Sequence, residues 1–351
     1  MKIWVRYLLR QMIVSFAFLL FCLFAVYVLI DLSIHSVRFL TRGPETSALD
    51  LFLYYLRHFA VHLDLFLPLA FLLSFYKVLF QLGGHLELVA LQMAGLSRKK
   101  LLFPFFVFAV FLTLLGVVNH EYFAGKASAE TESFKVSHSK SKKTKQSDQF
   151  QILSLDDESE IVYQRFDADK KELFDLFWIR SDKDIWHMKT LSFASHPPTG
   201  YFADHLVREN KLLQKQESFE EKIFEELPLH ADITPKPFVP FESRPLSTLF
   251  FEASLSSAES ASIKAHLHHK LSMPTLPLLI LLAAAPFALT FSRQRPTFLI
   301  VALSLFGFVA CLTLFDSLLI LGENKVLPPA LAMWSLPGVI AILFVRRFAK
   351  L

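Results

Sequence analysis

Leu101-Leu102-Phe103-Pro104-Phe105-Phe106-Val107-Phe108-Ala109-Val110-Phe111-Leu112-Thr113-Leu114-Leu115-Gly116-Val117-Val118 carries no charge and a single hydroxyl. Such a segment reads as a helix across a bilayer, because only a helix satisfies every backbone group within one span of this length. Arg98, Lys99 and Lys100 stand directly before it, and the chain turns polar from about His120. The boundary between lipid and water therefore falls at both ends of this segment.

Five more blocks of the same kind flank it: Met12 to Ile30, Phe59 to Leu82, Leu271 to Phe291, Thr297 to Leu321 and Leu327 to Val345. At about 1.5 Å per residue the first alone reaches about 28 Å, close to the hydrocarbon thickness. Of the 351 residues 53% are hydrophobic, 38 are phenylalanine and only 19% are charged, low for a soluble protein. The fold class expected is an α-helical integral membrane protein, with six spans arranged three and three around a polar insertion. A net charge of +4 is too small to suggest nucleic acid. Cys22 and Cys311 both lie in apolar blocks, so the insertion has no disulfide framework. The first block is too long for a cleavable signal, and no small-residue cleavage site follows it. Eleven lysines and arginines flank one side, among them Arg6, Arg10, Arg98, Arg293, Arg346 and Arg347. The short loops of the other side have four: Arg38, Arg42, Arg57 and Lys325. The excess puts both termini in the cytoplasm and the insertion outside. Trp4, Tyr7 and Trp334 sit where interfacial aromatics belong.

Within the insertion, Ser133 to Gln149 is rich in lysine and serine and reads as a loop. Short alternating runs follow: Phe150 to Leu155, Glu160 to Phe166, Leu173 to Ile179, Trp186 to Ser195, Tyr201 to Val207 and Leu212 to Phe219. Asp156-Asp157, Ser181-Asp182 and Pro197-Pro198-Thr199-Gly200 are among the turns that separate them. That spacing is that of an all-β sandwich or jelly roll. Pro228, Pro235, Pro237, Pro240 and Pro245 mark a linker, and Leu246 to Lys270 looks helical. The expected domains are 1–118, 119–245 and 246–351.

The second and third blocks are joined by Gly83-Gly84-His85-Leu86-Glu87-Leu88-Val89-Ala90-Leu91-Gln92-Met93-Ala94-Gly95-Leu96-Ser97. The two glycines are expected to release the second span. A short helix fits His85 to Ala94, with Gly95 as its C-terminal cap and Ser97 as the N-cap of the third span. Leu86, Val89 and Met93 share one face of it. Glu87 stands in its first turn, where the helix dipole favours an acid; it either caps that charge or pairs with a basic residue of a partner.

Charges inside spans cost roughly 2.5–3.5 kcal/mol at mid-bilayer. Asp31, Asp64 and Asp316 all fall near the outer interface, where the cost is lower, and Asp64 is expected to snorkel to headgroups. Lys77 is expected to snorkel toward the cytoplasmic side.

Glu87-Leu88-Val89-Ala90-Leu91-Gln92-Met93-Ala94-Gly95-Leu96-Ser97-Arg98 resembles the coupling segment of the lipopolysaccharide export permeases, the LptF/LptG family. Arg6-Tyr7-Leu8-Leu9-Arg10, Lys270-Leu271-Ser272-Met273-Pro274, Leu314-Phe315-Asp316 and Pro328-Pro329 with Pro337-Gly338 are similar to other family motifs. The resemblance covers all six spans in order. It implies a permease subunit of an ATP-binding cassette exporter that takes lipopolysaccharide from the inner membrane to a periplasmic jelly-roll bridge. The implied partners are a homodimeric cytoplasmic ATPase, a sister permease and a single-span periplasmic jelly-roll protein. Glu87 would contact the ATPase, with Leu88, Val89, Gln92 and Gly95 shaping the docking surface. Asp31 and Asp316 match acidic family positions, with Arg38 or Arg57 as partners, and Arg38 and Arg42 would meet lipid phosphates. No cofactor is implied.

Other classes fit less well. An intramembrane aspartyl protease would use membrane aspartates, yet no Gly-x-Gly-Asp surrounds any of them. An ion-driven lipid transporter lacks a carboxylate relay near the midplane. A membrane anchor for the β domain would need fewer spans. His266, His268 and His269 have no acid or cysteine close in sequence to complete a metal site. Gly125-Lys126 lacks the remainder of a phosphate-binding loop, so the energy source is expected in another subunit or an ion gradient.

Overall fold

The computed structural model describes residues 3–40, 48–128, 151–155, 159–167, 170–181, 184–193, 197–209, 212–227, 240–254, 260–289 and 296–350. They separate into two compact units, Met1–Ser139 with Pro240–Leu351, and Lys140–Val239. The lysine-rich run Ser133 to Gln149, and Pro228, Pro235 and Pro237 of the expected linker, lie outside the described residues.

The first unit is helical. Six helices in it are long and apolar enough to cross a membrane, and each contains most of one expected block. Helix α1 is Ile3–Leu40, α3 is Leu63–Gly84 and α5 is Arg98–Tyr122. After the insertion come α6 (Leu246–Ser254), α7 (Ser260–Ser272), α8 (Leu276–Ala288), α9 (Thr297–Glu323) and α10 (Pro329–Ala349). Helix α3 forms the centre. Its Phe71, Phe75 and Leu79 join Phe105 and Leu112 of α5 and Leu281 and Ala285 of α8 in one core. Phe75 meets Phe105 edge-on at 5.3 Å, a favoured aromatic geometry. Gly116 lets α5 approach Pro274 closely; a Cβ there would stand 3.0 Å from the proline Cβ.

Two stretches depart from the sequence reading. The second span does not begin at Phe59. A separate helix α2, Ala48–Val61, precedes it, and His62 caps the start of α3. Tyr54, Tyr55 and His58 form the buried face of α2, and Tyr27 of α1 packs its ring against His58 and His62. This row of half-polar aromatics holds α2 as an element of its own. The fourth span begins earlier than Leu271. It runs from Ser260 through a 3-10 turn at Met273–Thr275 into α8. Pro274 and Pro277 lack the N–H that a continuous α-helix would use there, so the chain tightens without breaking. Asp64 also departs from its expected role: its Oδ1 lies 3.2 Å from Nε2 of the buried His120 on α5, so it meets a partner inside the unit. Lys77 stands 5.6 Å over the Phe18 ring.

The second unit is all-β: β1 (Gln151–Ser154), β2 (Glu160–Asp167), β3 (Glu172–Ser181), β4 (Asp184–Ser192), β5 (Thr199–Glu209) and β6 (Leu212–Ile223). They pair in consecutive order as one antiparallel sheet. Simple alternation does not describe its inner face. Leu173 and Leu176 are both buried although three residues apart, and so are Met188 and Leu191. Tyr163 and Phe166 align with them on β2, Gly200 and Ala203 on β5. The alternation therefore slips by one residue along a line across four strands. Asp175 and Phe202, both at positive φ, lie on that line. A bend of this kind turns both halves of each strand toward one core, built on Trp178, Trp186, Phe193 and Phe224. This is how a single meander supplies the jelly-roll-like interior that the strand spacing suggested.

Candidate functional site

The link between α3 and α5 is the segment with the most chemistry on an exposed end. Gly83 and Gly84 do not release α3 as expected; both remain in its last turn. The chain leaves the helix through His85 and turns at Leu86, which adopts a left-handed conformation at φ 59°. The short helix α4 is consequently Glu87–Met93, narrower than His85 to Ala94. Its C-terminal end is a Schellman cap: Leu96 N–H donates to the Leu91 carbonyl and Gly95 N–H to that of Gln92, with Gly95 at φ 84°. Leu91 and Leu96 both pack on the core, the apolar contact that accompanies this cap. Ser97 Oγ then accepts from Lys100 N–H at 3.4 Å and opens α5.

Helix α4 has two apolar faces. Leu88 is 3% exposed and belongs to the core shared with α3 and α5. Leu86, Val89 and Met93 point outward, Met93 being 85% exposed. Gln92 is half-buried and Gly95 exposed. Glu87 is fixed from outside its own loop: Tyr7 Oη on α1 donates to its Oε2 at 2.8 Å, and Gln11 Nε2 donates to the Tyr7 oxygen at 2.7 Å. The sequence reading missed this tie, although Tyr7 lay in a motif it had singled out. Helix α4 is thus seated on α3 and α5 by Leu88 and held to α1 by Glu87.

The other site residues lie elsewhere. Asp31 accepts from Tyr55 Oη at 3.0 Å. Asp316 is exposed on α9, next to Phe315, whose ring packs on His269. Arg42 and the side chain of Arg38 lie outside the described residues. His266 pairs with Glu323 at 2.6 Å and stacks on Phe241. Among the described residues no group of three histidines, cysteines or acids is placed to hold a metal.

The family model described as "Lipopolysaccharide export system permease LptF/LptG" matches residues 6–350. The chain belongs to this family. No curated protein matches it. An LptF/LptG permease is a transport component, and with six apolar helices this one is a multi-pass inner-membrane protein. Neither the protease nor the ion-driven reading gains support from this assignment.

Proposed function

We propose that this LptF/LptG chain is one of two related permeases of an ATP-binding cassette exporter. The pair extracts lipopolysaccharide from the inner membrane and passes it to a periplasmic jelly-roll bridge. A homodimeric cytoplasmic ATPase supplies the energy, and a single-span jelly-roll protein receives the lipid. Both termini and α4 face the cytoplasm in this reading, which the eleven-to-four excess of basic residues supports.

The observation that carries it is the two-faced α4. A helix with Leu88 buried in the core and Leu86, Val89 and Met93 exposed is joined to the bundle on one side and open on the other. A groove on the ATPase takes the open face, as amphipathic helices dock elsewhere. Glu87 meets a basic residue of the ATPase, and Gln92 and Gly95 complete the surface. Leu88 serves from beneath, by seating the helix. Movement of α4 reaches α1 through Glu87 and Tyr7, and α3 through the turn at Leu86. Near the outer interface Arg38 and Arg42 meet lipid phosphates, and Asp31 and Asp316 balance basic residues there.

The test is copurification in mild detergent. The tagged chain should bring an ATPase, a sister permease and bound glycolipid. Glu87→Arg should release the ATPase while helical content and the sister permease remain. Wild-type yield of ATPase with that variant would refute the role of Glu87.

A further inference from the structure

A cavity of about 310 Å³ lies between α3, α8, α9 and α10, and no residue of α4 lines it. Leu72 and Tyr76 line it from α3, Ala283 and Phe287 from α8, Gly307 from α9 and Phe344 from α10. Two hydroxyls reach it, Tyr76 and Ser304, and they bond to each other at 2.7 Å. Its wall therefore asks nothing polar of an occupant. Gly307 has open space in front of it; a Cβ there would meet nothing within 4 Å.

One end of this cavity is charged. Phe287 and Phe344 stand 6.3 Å apart, and the Arg347 guanidinium lies 5.8 Å over the Phe287 ring. Arg346 and Arg347 are both exposed, and among the described residues no carboxylate pairs with either. Lys99 brings a further cation to the end of α10, its Nζ donating to the Ala349 carbonyl at 2.7 Å. An apolar groove at membrane depth ending in unpaired guanidinium groups is complementary to a fatty chain with a phosphate at its end.

We propose that this groove seats one acyl chain of an anionic glycerophospholipid whose phosphate rests on Arg346 and Arg347. Two features favour it over lipopolysaccharide. The volume is at the low end for a ligand cavity, room for a single chain and not for a cluster of them. The arginines also mark the wrong end. Helix α10 starts at Pro329, beside Gly322 and Ala265, at the end where α5 leaves for the insertion and α7 returns from it. Arg347 is at the opposite end, so the lipid belongs to the leaflet there. Its chain fills the gap between α3 and the pair α9 and α10, and so sets how closely that pair can approach α3.

The experiment uses the full chain in mild detergent, titrated with phosphatidylglycerol or with phosphatidylcholine of the same chains, and read by native mass spectrometry. Phosphatidylglycerol should be retained more strongly. Arg347→Gln should weaken it about fivefold, the effect of one basic residue at an anionic headgroup, and weaken phosphatidylcholine less, because its choline already offsets the phosphate charge. Gly307→Leu should displace both lipids by filling the groove. Independently, in a Cys22→Ala background, phosphatidylglycerol should slow N-ethylmaleimide labelling of Cys311, which also lines the groove; this readout needs no substitution in the wall. Equal retention of both lipids, unaltered by Arg347→Gln, would overturn the headgroup site. Unchanged Cys311 labelling would overturn the chain site. Displacement of phosphatidylglycerol by purified lipopolysaccharide at equal concentration would make the site one for the glycolipid, and the proposal would fail. None of these readouts involves the ATPase or α4, so failure here is separable from failure of the coupling reading.

Discussion

In the β unit the buried side chains are Ile161, Tyr163, Leu173, Trp178, Met188 and their neighbours, and Ser159 is the one buried polar residue among those described. In the helical unit Lys270, His266, His120, Asn119 and Ser74 are buried, while Phe298, Phe306, Ile342 and Leu331 stand exposed. The first arrangement is what water imposes, because apolar surface gains by leaving it. The second is what lipid allows. An exposed phenylalanine costs nothing among fatty chains, and polar groups are best satisfied inside the bundle. Hydropathy therefore does not mark membership of the core. Helix α9 has a mean hydropathy of 2.6 and is 11% buried, whereas α3, at 1.8, is 67% buried.

Large effects should separate the two environments directly. Phe75→Ala removes a side chain with no exposure at the centre of α3, and Trp178→Ala removes the largest buried ring of the sheet. Each should cost about 3–5 kcal/mol, by lost packing and the cavity left behind. Phe306→Ala deletes an equally apolar side chain that is 72% exposed on α9, and should cost less than about 0.5 kcal/mol. Unfolding in mixed micelles measures the two helical variants, and thermal loss of the strand circular dichroism signal measures Trp178→Ala. A Phe306→Ala cost approaching that of Phe75→Ala would mean that α9 packs within the chain.

Lys270 sharpens the same contrast at a single position. Its Nζ donates to the Glu242 carbonyl at 2.7 Å and the Arg244 carbonyl at 2.6 Å. Those carbonyls belong to the short turn Phe241–Ser243 and the residue after it, from which α6 starts. The start of α6 is tied a second time: Ser247 N–H donates to Glu121 of α5 at 3.0 Å. Lys270→Met keeps the length but leaves both carbonyls without the ammonium. It should cost about 3–6 kcal/mol, because two hydrogen bonds to a charged group are lost at about 1.5–3 kcal/mol each. Amide exchange over Phe241–Ser254 should accelerate in step. Unchanged exchange there would show that apolar packing of Leu246 and Leu249 alone holds the segment.

The contrast also explains what could be read in the sequence. Spans were legible because lipid demands long uncharged runs, so the six blocks and the six helices coincide. The helix α2 was not legible. Its residues Leu49, Phe52 and Leu56 are apolar yet exposed, and Tyr54, Tyr55 and His58 are half-polar yet buried, the reverse of the pattern that marks a soluble helix. In the sheet, alternation located the strands, but the paired spacings Tyr163–Phe166, Leu173–Leu176 and Met188–Leu191 were the signal of the bend and passed as noise. At the candidate site, the short helix α4 was marked by Gly95 and Ser97, whose roles are local. The tie between Tyr7 and Glu87 joins residues 80 positions apart, and nothing in the spacing of either motif brings them together.

The smallest effect expected lies on the water-exposed side of the comparison. Asp204 on β5 accepts from Lys215 Nζ at 2.7 Å and from Ser218 Oγ at 2.6 Å, both on β6. The lysine hydrogen bond first, and then the serine, hold its carboxyl below the ordinary value of 3.8. A carboxylate lowered in the folded state binds fewer protons than in the unfolded chain, so its contribution is complete above the unfolded value and is lost as pH falls through the folded one. Asp204→Asn should therefore lower the melting temperature of the β unit slightly at pH 7, and the gap from wild type should close as pH falls through the lowered carboxyl value. Because this pair is open to water, salt should shrink the gap at neutral pH, with a screening length of about 3 Å at 1 M. Lys270→Met should respond less to salt, since what it removes are hydrogen bonds to two backbone carbonyls and not a direct ion pair. Equal salt sensitivity of the two variants would break the distinction between a charge held in water and one held inside the bundle.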